Sequence, residues 1–132
     1  MSFAEDLVVK LGPAYGTIGV DVFINATAKL PAGVGPYTAL RDTGGAGNVR
    51  VHDHVTRPYR RPSCQLVVHA TNGPTAKAKA EAAFVALCGV RNATVNGNFY
   101  LEIEPTQDPF DMGTDSIGRQ RFAFNIQSYR QF

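Results

Sequence analysis

The sequence predicts an α+β domain: a mixed, mainly antiparallel sheet with two helices packed on one face and long extended arms or loops. Two segments carry apolar residues at helical spacing, and several others alternate between apolar and polar residues as strands do. Two connections between these segments run for roughly 14 to 20 residues, which is longer than usual in a compact domain. These three observations define the class.

Length and composition limit what the chain can be. With 132 residues, 44% of them hydrophobic, we expect one domain over residues 1–132 with a buried core. The apolar runs are far too short to cross a membrane, so no membrane partner is expected. Residues 1–6 lack a basic and apolar leader, so we expect synthesis in a cytoplasm. A net charge of +2 does not by itself indicate nucleic acid binding.

The N-terminal segment predicts a helix from Ser2 to Leu11. Ser2 fits the N-cap, Glu5 stands three residues later as in a capping box, and Gly12-Pro13 ends the helix. The next two segments, Val20–Ile24 and Tyr37–Asp42, favour short strands. We expect these two strands to pair as a hairpin with a long loop.

Residues Thr43 to Pro62, which we name the first arm, predict a long loop without a lasting apolar period. The segment is rich in glycine, proline and basic residues. Loops of about 20 residues are usually functional or are ordered by a partner. We therefore expect this arm to carry part of the function.

A strand and a helix follow the first arm. Cys64–Ala70 predicts a strand, and the adjacent pair Val67 and Val68 suggests a central position covered on both faces. The run Asn72-Gly73-Pro74 suits the start of a helix, and Gly89 suits its end. The helix stripe expected to face the sheet is Ala76, Ala80, Ala83, Phe84 and Leu87. A right-handed crossover from this strand through the helix would make the sheet mixed.

The C-terminal third predicts a hairpin and one further strand. Asn96-Gly97 is the residue pair that type I′ turns favour. In the strand after it we expect one buried face, consisting of Phe99, Leu101 and Ile103. The last strand repeats the alternation with Phe122, Phe124 and Ile126. Between these strands lies the second arm, Pro105–Gly118, a long connection that holds Phe110 and Met112.

No catalytic, cofactor or metal site can be assembled from the sequence, and we expect the protein not to be an enzyme. His52-Asp53-His54 offers metal ligands, but no further ligand stands at a recognisable spacing. Cys64 and His69 have opposite parity in one strand, so they cannot act as a nucleophile and its base. Gly44–Asn48 lacks the Gly-Lys-Ser/Thr ending of a phosphate-binding loop. We expect Cys64 and Cys88 to be buried thiols.

The arginines of the first arm can bind phosphate or can form a protein interface. Arginine and tyrosine are enriched at interface hot spots, and nine of the thirteen basic residues are arginine. No RNA-binding signature accompanies the cluster. We favour the protein interface and expect no sequence-specific nucleic acid.

Several short motifs occur in a fixed order between residues 38 and 130. They are Leu40–Gly45, Val55–Pro62, Gln65–Val68, Ala76–Glu81, Leu87–Asn92, Asn96-Gly97, Asp108–Gly113 and Arg119–Phe124. In these motifs the sequence resembles the minor capsid, or tail terminator, proteins of long-tailed (siphovirus-type) bacteriophages. None of the motifs is catalytic.

The resemblance implies a structural virion protein that forms a ring of six copies on the end of the completed tail tube. Such a ring stops tube polymerisation and provides the interface for head–tail joining. The implied partners are further copies of the chain, the tail tube protein, and a head–tail connector or head-completion protein. The implied location is the head-proximal end of the tail, after assembly in the host cytoplasm.

We predict that arm residues contact neighbouring subunits or the tube: Arg50, Arg57, Tyr59, Arg60, Arg61, Phe110 and Met112. Phe110 and Met112 alternatively pack into the core of their own domain. Two other functions stay open. One is a different neck or tail component, such as a head-completion or tube protein, and the other is a nucleic-acid-binding domain that uses residues 50–61.

Overall fold

The computed structural model of the protein describes residues 2–24, 30–44, 46–49 and 59–131. It contains helices α1 (Phe3–Leu11) and α2 (Gly73–Leu87) and one mixed, mostly antiparallel sheet, so the predicted α+β class is confirmed. The nine strands of the described sheet are β1 (Val22–Ile24), β2 (Tyr37–Asp42), β3 (Ala46–Val49), β4 (Tyr59–Arg61), β5 (Ser63–Ala70), β6 (Val90–Val95), β7 (Asn98–Pro105), β8 (Phe110–Thr114) and β9 (Gln120–Gln131).

The long strand β9 is the centre of the sheet. Along one edge, β5 pairs with residues 120–127 and β4 pairs with residues 130–131. Along the other edge, β7 pairs with residues 126–130 and β8 pairs with residues 120–123. Strands β4 and β5 therefore run in line, separated by Pro62, which has no N–H to donate to the ladder. Strands β7 and β8 run in line on the opposite edge.

Strands β1 and β2 pair in parallel, so the predicted hairpin between them is wrong. The residues just before β2 lie at the end of β5, where the Thr71 N–H donates to the Val34 carbonyl at 2.9 Å. The chain returns to this end before it enters β2, and such a crossover makes neighbouring strands parallel. This pair makes the sheet mixed. The predicted crossover through α2 does not contribute a parallel pair. β5 and β7 are both antiparallel to β9, and β6 is antiparallel to β7, so β6 runs in the opposite direction to β5.

The two helices pack on the sheet as their patterns predict. The Ser2 hydroxyl accepts a hydrogen bond from the Glu5 N–H at 3.2 Å and caps α1. The Asn72 side chain accepts one from the Thr75 N–H at 3.3 Å and caps α2. The alanine stripe of α2 is fully buried, which lets the helix lie close to β5 and β9. Both helices contribute to one apolar core.

The hairpin of β6 and β7 forms as predicted, but of the three residues predicted to be buried in β7 only Ile103 is fully buried. Asn96 and Gly97 have φ values of 53° and 82°, as a type I′ turn requires. Tyr100 is fully buried, whereas Leu101, predicted to be buried, is 39% exposed. A β-bulge between Tyr100 and Glu102, where β7 pairs with β9, shifts the alternation by one residue.

A buried carboxylate ties this hairpin to α1. Asp6 is fully buried and accepts hydrogen bonds from the side-chain amides of Asn96 at 3.1 Å and Asn98 at 2.8 Å, and from the Tyr100 hydroxyl. Burial, followed by the bond to Asp6, raises the pKa of Tyr100 well above its usual value. The bulge is thus what brings the Tyr100 hydroxyl to the N-terminal helix.

Two further expectations need correction. β5 is central, but Val67 is half-buried, so only the face with Val68 is fully covered.

Cys64 is buried, and burial raises the pKa of its thiol to about 12. Cys88 is exposed rather than buried, because it forms the C-cap of α2.

Candidate assembly surfaces

The first arm contains regular structure that the sequence did not predict. Strands β3 and β4 pair with each other in antiparallel fashion, and β4 adds to the end of β9. At the base of the arm, the Thr43 N–H donates to the Ser63 carbonyl at 3.0 Å, and the two hydroxyls of these residues lie 2.7 Å apart. The Ser128 hydroxyl also donates to the Pro62 carbonyl at 3.0 Å. These bonds hold β4 in line with β5.

The interface residues predicted in the first arm fall into two groups. Arg50 and Arg57 lie outside the described residues, as does the run His52-Asp53-His54. Tyr59 and Arg61 are half-buried and Arg60 is exposed. Since consecutive strand residues point to opposite faces, the two guanidinium groups leave the strand on opposite faces at the C-terminal end of β9.

The second arm also contains a strand, β8, where a plain connection was predicted. β8 pairs with the N-terminal end of β9, with Phe110 opposite Ala123. Phe110 is 37% exposed and Met112 is half-buried. Among the described residues, the apolar core includes neither side chain. Both side chains are thus at least partly exposed at the surface of β8, and their contacts with other subunits stay a prediction.

Local hydrogen bonds shape β8. A bulge lies between Asp111 and Gly113, and Gly113 has a φ of 81°, which favours glycine. The Asp111 carboxylate accepts a bond from the Gly113 N–H at 2.7 Å, and the Arg121 guanidinium donates to the Met112 carbonyl at 3.0 Å. The strand is thereby held in one shape with Asp111 at the surface.

Asp115 fixes the turn that joins β8 to β9. Its carboxylate accepts bonds from the Ile117 N–H at 3.0 Å, the Arg119 N–H at 2.9 Å and the Arg119 Nε–H at 2.8 Å. His69 on β5 lies 3.0 Å from the same carboxylate. Arg119 is buried and also donates to the Pro31 carbonyl at 2.7 Å. The turn is thus anchored to β5 and to the segment before β2.

The ionisation of this cluster follows from its contacts. Burial opposes the charge on Asp115, but hydrogen bonds from His69 and Arg119 outweigh burial and hold the pKa of the carboxyl well below its usual range. Burial lowers the pKa of His69, and the positive charges of Arg119 and Arg121 lower it further, against the attraction of Asp115. His69 is therefore neutral at pH 7, and its Nδ1–H donates a hydrogen bond to the carboxylate.

Phe110 extends an apolar row across the sheet face opposite the helices. Directly paired residues of neighbouring strands point to the same face. The row, from β1 to β8, is Phe23, Ala39, Val67, Ala123 and Phe110. It ends on β8, the outer strand of the second arm, while Asp111, the next residue of β8, points to the opposite face.

The described ranges hold no group of side chains suited to bind a metal ion. Among residues 2–24, 30–44, 46–49 and 59–131, no three His, Cys, Asp or Glu side chains form a group that could hold a metal ion. Cys64 and His69 lie on opposite faces of β5, as predicted. No helix in the same ranges is both long and apolar enough to span a bilayer.

Comparison with known proteins identifies the family of this chain and a solved structure with the same fold. A family model described as bacteriophage tail terminator protein matches residues 15–129. The chain belongs to the bacteriophage tail terminator family. The protein is a structural protein of a phage virion, from its tail or neck region. Assembly with other tail or head proteins follows from that position.

The fold of the protein also occurs in a solved virion. A chain from the virion of a native gene transfer agent (GTA) particle superposes with a TM-score of 0.66 at 17% identity. The match covers 99% of this chain and 96% of that chain. The search of curated proteins found no match to this sequence.

Sequence reasoning missed the Asp115 cluster of the tail terminator. His69 and Asp115 are far apart in the chain, so no local pattern joins them. One local signal was present: an aspartate and a glycine bracket the run Asp115-Ser116-Ile117-Gly118, as in turns closed by an aspartate side chain. That signal predicts a tight turn before β9 and hence a strand before the turn.

Proposed function

We propose that the protein forms a closed hexameric ring on the end of the completed tail tube. There it stops tube polymerisation and provides the interface to which the head is joined, at the head-proximal end of the tail. Its partners are other copies of the chain, the tail tube protein, and a head–tail connector or head-completion protein. The role is structural rather than catalytic. The contacts use the predicted arm residues Arg50, Arg57, Tyr59, Arg60, Arg61, Phe110 and Met112.

The placement of the two arms supports this proposal. β4 pairs with residues 130–131 of β9 on one edge, and β8 pairs with residues 120–123 on the other edge. The arms therefore lie at opposite ends and on opposite sides of the central strand. A subunit with two different contact surfaces can join its neighbours head to tail.

A head-to-tail contact closes into a ring when its rotation closes. All subunits of such a ring point the same way, so its two faces differ. One face can match the end of the tube while the other does not accept a further tube layer. This asymmetry accounts for a terminator that binds a growing tube and ends its growth.

The first test is the native mass of the purified chain over a wide concentration range at two salt concentrations. We expect a closed species of six subunit masses. An open-ended series of polymers would contradict a terminator and favour a tube protein. Nucleic acid binding that weakens steeply with salt, without any ring, would favour the nucleic-acid-binding alternative.

The second test adds the chain to polymerising tail tube protein of the same phage. We expect shorter tubes with one end occupied, visible by electron microscopy, because capped ends no longer accept tube subunits. A monomer in solution is consistent with the proposal if the tube end templates the ring. Tubes of unchanged length with bare ends would contradict it.

A further inference from the structure

We propose that the first arm of each subunit binds the second arm of the next subunit around the ring. The contact joins Arg60 and Arg61 of β4, in the first arm, to Asp108 and Asp111 of the second arm. This inference rests on the proposed ring and names the surfaces that close it.

The two arms have opposite charge. The first arm, Thr43–Pro62, contains four arginines and one aspartate, whereas the second arm, Pro105–Gly118, contains three aspartates and no lysine or arginine. Asp115 is bound inside its own turn, but Asp108 and Asp111 are exposed. Arg60 is exposed on the first arm as well. Opposite charge on two surfaces favours their association and selects its register.

The two arms of one subunit are too far apart to contact each other. Arg60 pairs with Arg130, whereas the Thr106 N–H donates to the Asn125 carbonyl and Asp111 pairs with Phe122, so Asp108 and Asp111 lie about five to eight residues away along β9. At about 3.3 Å per residue, this separation is roughly 17 to 26 Å, in addition to the width of the strands between them. The guanidinium groups of β4 can therefore reach Asp108 and Asp111 only on a second copy of the chain.

Both arms also present open strand edges. Among the described strands, β8 pairs with β9 alone and β3 pairs with β4 alone. Within the described residues, each therefore has one backbone edge without a strand partner, and pairing at such an edge is a common route to strand addition between proteins. The second arm is pre-organised for this contact, because Asp115 and Arg121 hold β8 and its turn in place. A preformed surface loses less conformational entropy on binding.

The test is a charge exchange between the arms. One variant is Arg60→Glu with Arg61→Glu, and the other is Asp108→Arg with Asp111→Arg. We expect each variant alone to need at least about tenfold more protein to form rings, because like charges then face each other at every contact. An equal mixture of the two variants restores opposite charge at each contact of an alternating ring. We expect the mixture, and the chain with all four changes, to assemble within about threefold of the original protein.

The matched control is Lys10→Glu with Lys77→Glu, which reverses two exposed lysines away from both arms. This control changes the net charge as the arginine variant does, and we expect it to assemble like the original. The same loss in the control would attribute the effect to net charge and overturn the proposal. The proposal would also be overturned if the mixture and the four-residue variant did not assemble although circular dichroism shows that they are folded.

A cross-link keeps the test decisive if the arginine variants do not fold. In a Cys88→Ser background, a chain with Arg60→Cys is mixed with a chain that carries Asp111→Cys and oxidised. We expect disulfide-linked dimers, and none when Lys77→Cys replaces Arg60→Cys. Rings or capped tubes that form without the dimer would overturn the arm contact and leave the terminator function intact. Absence of both rings and capping in the original protein would overturn the function itself.

Discussion

The interior of the sheet and its two arms use the same central strand for different purposes. In the interior, β5 and β9 lie under α2, and side chains such as Leu66, Phe124 and Ile126 are fully buried. At its ends, β9 carries β4 and β8, most of whose residues are exposed or half-buried. Burial stabilises the interior, whereas β4 and β8 have no fully buried residue. A partner that covers β4 and β8 would therefore add burial that the single subunit lacks.

The largest effect is expected in the interior. Phe124 lies edge-on to Phe84 with ring centroids 5.7 Å apart. Phe124→Ala removes this contact and leaves a cavity, so we expect the free energy of unfolding to fall by about 3–5 kcal/mol. Urea denaturation measures this loss. Val85→Ala, at a site 70% exposed on α2, is the control and should change stability by less than about 0.5 kcal/mol. An equal fall in the free energy of unfolding of both variants would contradict the assignment of Phe124 to the stabilising interior.

The Asp115 cluster tests how firmly the second arm is joined to the interior. Asp115→Asn leaves the buried Arg119 guanidinium without its carboxylate, and we expect a loss of about 3 kcal/mol. Hydrogen exchange should rise in the turn between β8 and β9. The exposed Asp111→Asn, in the same arm, should cost less than about 1 kcal/mol. A small loss for Asp115→Asn would mean that the arm folds independently of this cluster.

The pH dependence of stability should be traceable to the same cluster. The pKa of His69 is lowered from its usual 6.5 by burial first, so the unfolded chain takes up the proton before the folded one. The stability contributed by the neutral His69 is complete above pH 6.5 and is lost as the pH falls toward the pKa of the folded state. The low pKa of Asp115 adds stability above pH 4 that is lost in stronger acid. We expect Tm to fall between pH 7 and 5 and to fall less in His69→Gln. Identical slopes in the two proteins would contradict this assignment.

The smallest effect on stability is expected in the first arm. Arg60→Ala with Arg61→Ala removes two charges from β4, and we expect the free energy of unfolding to change by less than about 1 kcal/mol. Ring formation or tube capping should nevertheless be impaired. Thermal unfolding beside native mass separates the two properties. A variant that unfolds would show that these arginines stabilise the fold instead of an assembly contact.

Patterns within a few residues predicted much of this fold. Ser2 and Asn72 cap the helices as expected, and Asn96-Gly97 makes the expected turn, because each depends on neighbouring residues only. The length and composition of the arms also predicted a role in assembly, which stays a prediction. The predicted contacts of Arg60 and Phe110 with other subunits stay predictions, since they depend on a second chain.

Other features depend on segments far apart in the sequence. The parallel pairing of β1 with β2, the burial of Tyr100 against Asp6 and the link from His69 to Asp115 each join distant parts of the chain. A bulge of one residue reverses which side chains are buried, and alternation along one strand cannot reveal it. The conformational preferences of neighbouring residues therefore decide where helices and turns begin. Packing against the rest of the molecule decides which faces and edges stay open for assembly.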